Sequence, residues 1–292
     1  MNAKRSIRRS RPWLGTFVDI RVEGLADDVA IPAIEAAFAE VAAVHRLMSF
    51  HETSSDLSRL HRDAVRKPVT VDARTYEVLQ AALRFAVESQ GCFDPTIAAR
   101  LVEWKRLPRP LDAASADPLA NWRDIELLGD ARVRFKRALW LDLGGIAKGY
   151  AVDRALALLQ ATGASTACVN AGGDLRRFGA ASERIELRLS AAVGQAAAVV
   201  ELGDAALASS VVDAQRDDVA QRMRSTHINA RDGRSVRARR AVSVVAESCL
   251  VADALSKVVL ADARIGKRML RRYAASAFLV DGARGGRLLD VA

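Results

Sequence analysis

The sequence predicts an α+β fold, mixed sheets with packed helices, and three observations carry that prediction. Apolar residues recur at steps of three and four along several stretches, which is the helical period. Short β-rich runs lie between those stretches. No internal repeat, low-complexity tract or clean linker divides the 292 residues. The chain therefore reads as a single unit over 1–292, at most two intimately packed lobes, with a basic, flexible N-terminus at 1–12.

The elements follow in order. Leu14 to Val22 is β-rich and alternates loosely, a strand. From Ala30 to Met48, the residues Ile34, Phe38, Val41, His45 and Met48 step by three and four, a helix. The Ser/Thr-rich "HETSSDLSRLH" turns into a short helix capped by Ser54 or Ser55. Asp72 caps a further helix that ends at Gly91. "CFDPTIAARLVEW" turns at Asp94-Pro95 into another helix, and "LPRPLDAASADP" is a Pro-rich loop. Strands are predicted at "RVRF", "LWLDLG", "ACVNAG", "RIELRLS" and "AAVVELG", with a helix between Ile146 and Leu159. The chain closes on the strand "AVSVVA", the helices "LVADALSKVVLA" and "KRMLRRYA", and the strand "SAFLVD".

Half the residues are hydrophobic and 27% are charged, an ordinary globular balance. The net charge of +9 favours anionic partners. The basic residues are dispersed, which argues against a nucleic-acid interface. Three cysteines, Cys92, Cys168 and Cys249, are too few and too far apart for a disulfide framework or a zinc site, and their apolar neighbours predict buried free thiols. No apolar run of 18 residues exists, so no membrane span is expected. The basic start lacks the apolar segment of a signal peptide, which predicts a cytoplasmic location.

Chemistry concentrates in a few stretches. "LDLGGIAKGYAVDRA" places Asp142 before the Gly144-Gly145 break, with Lys148 and Asp153 after it at the start of a helix. Such a turn either cradles a phosphate on helix N–H groups or is a plain tight turn with solvated charges. A second glycine pair follows in "VNAGGDLRRFG". Asp253 and Lys257 stand four apart on one helix face. They form a surface salt bridge or, because that helix is otherwise apolar, a buried carboxylate that needs a cation or a metal. His227, one of four histidines, precedes an Asp232-Gly233 turn. No HxH, HExxH, GxSxG or Walker A pattern is present.

Taken together the segments resemble the FAD:protein FMN transferase (ApbE) family. "WLGTFVDI" is similar to the family's Met-Gly-Thr strand, with Leu14 for methionine. "MSFHETSSDLSRLH", "GCFDPTIAARLVEW", "LDLGGIAKGYAVD", "VNAGGD", "THINARDGR" and "VSVVAESCLVADALS" are similar to its later motifs, in order, from about Gly15 to Lys257. The resemblance implies a fold related to the tunnelling fold. It also implies a magnesium-dependent activity that cleaves FAD and passes its FMN half to a threonine of an acceptor flavoprotein. By position, Leu14, His51, Phe93, Asp94, Thr96, Asp142, Lys148 and Ile228 would lie at the FAD, and Gly145, Asp253 and Ser256 would hold the metal. His227 would be the base, with Asp142 the runner-up. Asp142→Ala and Asp253→Ala would each abolish transfer and spare the fold.

Three positions depart from the pattern. Lys257 stands where the family has a threonine ligand, four residues after the aspartate. Ser209-Ser210-Val211 replaces Thr-Ser-Gly, and Asn229-Ala230 replaces Asp-Pro. Two rival readings follow: an FAD-binding protein or FAD pyrophosphatase of the same fold without efficient transfer, and a basic non-catalytic interaction protein on the same scaffold.

Overall fold

The computed structural model describes residues 6–187, 198–212, 214–216, 223–225, 227–236, 240–281 and 285–289. Eight strands form one sheet whose spatial order follows the chain: β1 (Ser6–Trp13), β2 (Thr16–Glu23), β3 (Thr166–Ala171), β4 (Asp174–Phe178), β5 (Ala205–Val211), β6 (Arg240–Ala246), β7 (Ser276–Asp281) and β8 (Gly285–Leu289). Every pairing in it is antiparallel. The connection from β2 to β3 carries α1 (Asp27–Met48), α2 (Asp56–Asp63), α3 (Ala73–Glu88), α4 (Ala98–Glu103) and α5 (Ala147–Ala161). It also carries a small sheet of Val69–Thr70, Arg132–Phe135 and Ile125–Leu128. α6 (Cys249–Ala261) and α7 (Ala263–Arg272) lie between β6 and β7. The result is the predicted α+β arrangement.

Alternation along β2 turns Val18, Ile20 and Val22 inward, where Ile34, Phe38 and Val41 of α1 and Val152, Leu156 and Leu159 of α5 cover them. A second cluster joins α3, α6 and α7 to β6 through Val78, Phe85, Leu255, Val259, Met269 and Val244. Each fully buried aliphatic or aromatic side chain contributes roughly 1.5–3 kcal/mol. Side-chain caps fix the helix starts. Ser55 accepts from Ser58 N (3.1 Å), Asp72 from Arg74 N (2.9 Å), Ser248 from Val251 N (3.3 Å) and Asp262 from Arg264 N (2.9 Å).

Three expectations are corrected. The N-terminus expected to be flexible is strand β1 from Ser6, paired along its whole length with β2. Its arginines are held: Arg8 Nε donates to Asp19 (2.7 Å) and Arg11 to Glu35 (2.7 Å). A charged edge strand of this kind also resists edge-to-edge association. Leu14 and Gly15 are not strand but the hairpin turn, with φ of 57° and 72°, the left-handed pair that matches strand twist. Leu139–Leu143 pairs with no strand among the described residues. Its backbone bonds elsewhere, Leu141 N to His61 Nε2 (2.8 Å) and Asp142 N to Pro95 O (2.8 Å), and these bonds replace a ladder. The strand expected at "RIELRLS" is seen over Glu183–Leu187, and residues 188–190 lie outside the described ones. Cys92 and Cys249 are buried free thiols, whereas Cys168 is half-buried.

α5 and α6 cross so closely that a Cβ on Gly149 would lie 2.3 Å from Cys249 O. Gly149→Ala is expected to destabilise the protein by about 1–3 kcal/mol, because the obstacle is backbone and cannot rotate away. Helix propensity alone would favour alanine by about 1 kcal/mol. A raised midpoint in urea denaturation would therefore show that the helices separate at no cost.

Candidate functional site

The α5–α6 crossing is held by reciprocal caps. Asp153 of α5 accepts from Cys249 N (2.9 Å) and Leu250 N (2.8 Å) at the start of α6, and Arg176 of β4 pairs with it (3.1 Å). Asp253 of α6 returns the favour at α5, where its Oδ2 accepts from Gly149 N (3.1 Å). Each carboxylate thus sits at a helix N-terminus, where the dipole favours negative charge.

Two lysine–carboxylate pairs meet at this crossing. Lys257 Nζ bonds Asp253 Oδ1, one turn back on α6, and Lys148 Nζ pairs with Asp174 at the start of β4. Asp253 and Asp174 are fully buried, and both lysines are mostly covered. Burial opposes the Lys148 charge, but Asp174 and Asp253 outweigh it and raise its pKa. Burial pushes the Asp253 carboxyl up, and Lys257 and Lys148 more than reverse it, so it stays ionised. Burial and the neighbouring Asp253 raise Asp174.

Above the pairs opens a cavity of about 390 Å³. Of the residues singled out from sequence, Phe93, Asp94, Asp142, Gly145, Lys148, His227 and Ile228 line it, and so does Lys257. Phe93 Cε2 would lie 3.3 Å from a Cβ on Gly145, so the glycine lets the aromatic edge close on the turn. Asp142 Oδ1 accepts from Gly144 N (2.8 Å), and burial raises its pKa against that bond. Burial likewise raises Asp94, although Thr96 donates to it through both N (2.8 Å) and Oγ1 (2.7 Å). Burial, reinforced by Lys257, lowers the His227 imidazole to about 4, and its Nδ1 is buried without a hydrogen-bond partner among the described residues.

Other expected residues do not line this cavity. Leu14, at the β1–β2 turn, lines a separate shallow pocket with Trp13, Thr16 and His45. His51 is exposed and does not line the cavity. Thr96 acts by holding Asp94. Ser210, singled out as a departure, lines the cavity, Arg106 is an addition to its wall, and Asp174 is an addition beneath it through its pair with Lys148. Asp174 ends the "VNAGGD" turn, and acidity directly after a glycine pair was the available signal.

The expected metal ligands do not fit a magnesium ion as they stand. Lys257 Nζ bonds three oxygens: Asp253 Oδ1, Ser210 Oγ (2.9 Å) and Ser256 Oγ (3.1 Å). Asp253 Oδ2 is taken by Gly149 N. Ser256 Oγ is shared with Ser210 Oγ (2.7 Å) and donates to Asp253 O (2.7 Å). An ammonium already occupies the donors that a hard cation would need, and its charge opposes one. No cluster of three or more His, Cys, Asp or Glu side chains is placed for a metal among the described residues.

His61 supports the Asp142 turn from beneath. It is 4% exposed, and its Nε2 accepts from Leu141 N (2.8 Å). Burial lowers its pKa from 6.5 to about 4. The folded state thus prefers the neutral ring. Its contribution is complete above about pH 6.5 and is lost as pH falls to about 4, roughly 3 kcal/mol in all. Urea midpoints at pH 7.5 and pH 4.5 are expected to show this fall, and His61→Gln should flatten it. An unchanged slope in the variant would assign the fall to other groups.

The model of the ApbE family matches residues 14–279. A protein of Treponema pallidum named FAD:protein FMN transferase is 28% identical over 204 residues, 62% of this chain and 56% of that relative. One of the same name from Vibrio cholerae is 28% identical over 270 residues, 86% of this chain and 79% of the relative. The crystal structure of the ApbE protein of Thermotoga maritima superimposes with a TM-score of 0.83 at 23% identity, covering 97% of each chain. With the family pattern matched along nearly the whole chain and the same fold around it, the chain belongs to the ApbE family.

Proposed function

We propose that this chain is a FAD:protein FMN transferase. It splits the pyrophosphate of FAD, joins FMN through a phosphoester to a threonine of an acceptor flavoprotein, and releases AMP. The observation that supports this most is the pairing of Lys148 and Lys257 with buried carboxylates at the floor of a cavity that also holds His227. Fixed positive charge beside a neutral base suits attack of a hydroxyl on an anionic phosphorus.

The roles follow from position. Lys148 and Lys257 face the charge that develops on the pyrophosphate oxygens. Their carboxylate partners prevent drift, so no reorganisation is needed during reaction. The hydroxyl of the acceptor threonine gives its proton to the His227 imidazole as its oxygen bonds to phosphorus, and the bond to AMP breaks on the opposite side. Phe93 and Ile228 supply apolar contact to the flavin nucleotide, and Asp94, held by Thr96, offers an acceptor. Asp142 holds the Gly144 turn and stands as the alternative base. No helix among the described residues is long and apolar enough to cross a membrane.

The test is incubation with FAD and an acceptor domain carrying a target threonine, followed by intact-mass spectrometry. One FMN less water should add to the acceptor for each AMP released. FMN and AMP in solution with an unmodified acceptor would make the protein a pyrophosphatase. Absence of FAD binding would leave only the scaffold.

A further inference from the structure

We propose that the Lys257 ammonium is the resident cation of this site, taking the place of a divalent ion at the FAD pyrophosphate, so that this chain engages FAD without a divalent metal. The inference rests on the transferase reading for the identity of the anion, and on the geometry for the rest.

Three features of Lys257 support it. Its ammonium is satisfied by three oxygens from two elements, Asp253 and Ser256 of α6 and Ser210 of β5. That is the full donor capacity of a lysine, so the head group is fixed rather than swinging on its stem. The stem also runs beside the Gly145 turn, where a Cβ built on the glycine would lie 3.5 Å from the lysine Cγ, an ordinary contact distance. Finally, the side chain is not sealed off. It lines the cavity and keeps 22% of its surface exposed, so its charge faces whatever binds there.

A salt bridge made only for stability would not need this arrangement. Burying an ion pair is rarely favourable against an apolar pair of the same shape, so the fixed charge needs another reason. Ser210 contributes to the same end: its hydroxyl bridges Ser256 and Lys257 across β5 and α6. Remove the ammonium, and one buried carboxylate and two hydroxyls remain around the vacated space. Those are oxygen donors of the kind a magnesium ion takes. The lysine therefore both supplies a charge and denies the place to an ion.

The test has a binding arm and a reaction arm. Wild-type protein is treated with EDTA and dialysed, and divalent metal is measured by mass spectrometry. FAD affinity is then measured by flavin fluorescence in EDTA and in millimolar MgCl2, and FMN transfer is followed under both conditions. The expected result is no retained metal, and FAD affinity and transfer rate equal within twofold in the two conditions. In Lys257→Thr, FAD affinity in EDTA should fall at least tenfold and recover with MgCl2. The melting temperature of that variant, unlike wild type, should rise with MgCl2. Stoichiometric metal in the EDTA-treated wild type, or FAD affinity restored only by MgCl2, would overturn the proposal. If Lys257→Thr does not fold, the wild-type arms still decide it. If FAD binds equally with and without metal but no FMN reaches an acceptor, the transferase reading fails and the built-in cation stands.

Discussion

Asp253→Ala is expected to lower the stability of the protein by roughly 3–5 kcal/mol and to abolish FMN transfer. The carboxylate is fully buried and holds three things at once. Oδ2 takes the Gly149 N–H at the start of α5, Oδ1 takes the Lys257 ammonium, and its charge helps keep Lys148 ionised. Truncation leaves a mostly covered lysine without its counter-charge and a buried N–H without an acceptor, and breaking one side of a buried pair costs about that much. The sequence pattern leads to the same loss of activity but with the fold spared, because groups placed at a ligand or metal often cost stability rather than add it. The crossing of α5 and α6 makes this one structural as well. Urea denaturation of Asp253→Ala and Asp253→Asn at pH 7.5 checks it. Asparagine keeps an acceptor for Gly149 N–H and should recover part of the loss. A wild-type midpoint in the alanine variant would show that the crossing does not depend on the carboxylate.

How much of this could be read from the sequence depends on whether the cause was local. The caps at Ser55 and Asp72 were legible because a capping side chain bonds within three residues of itself. The long periodic helix α1 was legible for a related reason: its buried face repeats along its own sequence. Leu139–Leu143 was misread because its alternation is that of a strand, while its partners, His61 and Pro95, lie far back in the chain. The N-terminal arginines read as a solvated run. Only the register of β1 against β2 puts Arg8 beside Asp19. At the site, the motif residues Phe93, Asp94, Asp142, Lys148 and His227 do converge, from a loop, a turn, a helix and a hairpin entry separated by more than a hundred residues. Asp174 stands in the "VNAGGD" motif, but nothing local says that it faces Lys148 across β4 and α5. Asn229, a departure from the family's aspartate, proves mild: its Oδ1 accepts from Arg231 N (3.1 Å) and closes the turn as a carboxylate would. Lys257 is the departure with consequences, since its ammonium fills a space that a threonine would leave open.

His227→Ala is expected to slow FMN transfer by about 10²–10⁴-fold while changing FAD affinity by no more than a few-fold. The imidazole lines the cavity, and burial together with Lys257 holds its pKa near 4, so the ring is neutral across the working pH range and can accept a proton without first losing one. A base of that pKa is weak in the empty site. The arrival of a pyrophosphate changes this, because its negative charge offsets Lys257 and raises the proton affinity of the ring. Substrate binding therefore strengthens the base at the moment when the threonine hydroxyl must be deprotonated. Two pH profiles follow from the sign of the shift. In kcat/KM, which reports the free enzyme, activity should be lost only as pH falls through about 4. In kcat, which reports the complex, the same limb should lie higher. Single-turnover transfer at limiting FAD and again at saturating FAD, across pH 3–9, measures the two in turn, and the alanine variant should lose the limb along with the rate. The fold should survive, since the buried Nδ1 has no partner to strand among the described residues. Asp142, whose carboxyl faces the same cavity and is raised by burial, provides the control. If Asp142→Asn erases the limb and His227→Ala keeps it, the proton goes to the carboxylate, and the histidine serves only to fill the wall beside Lys257.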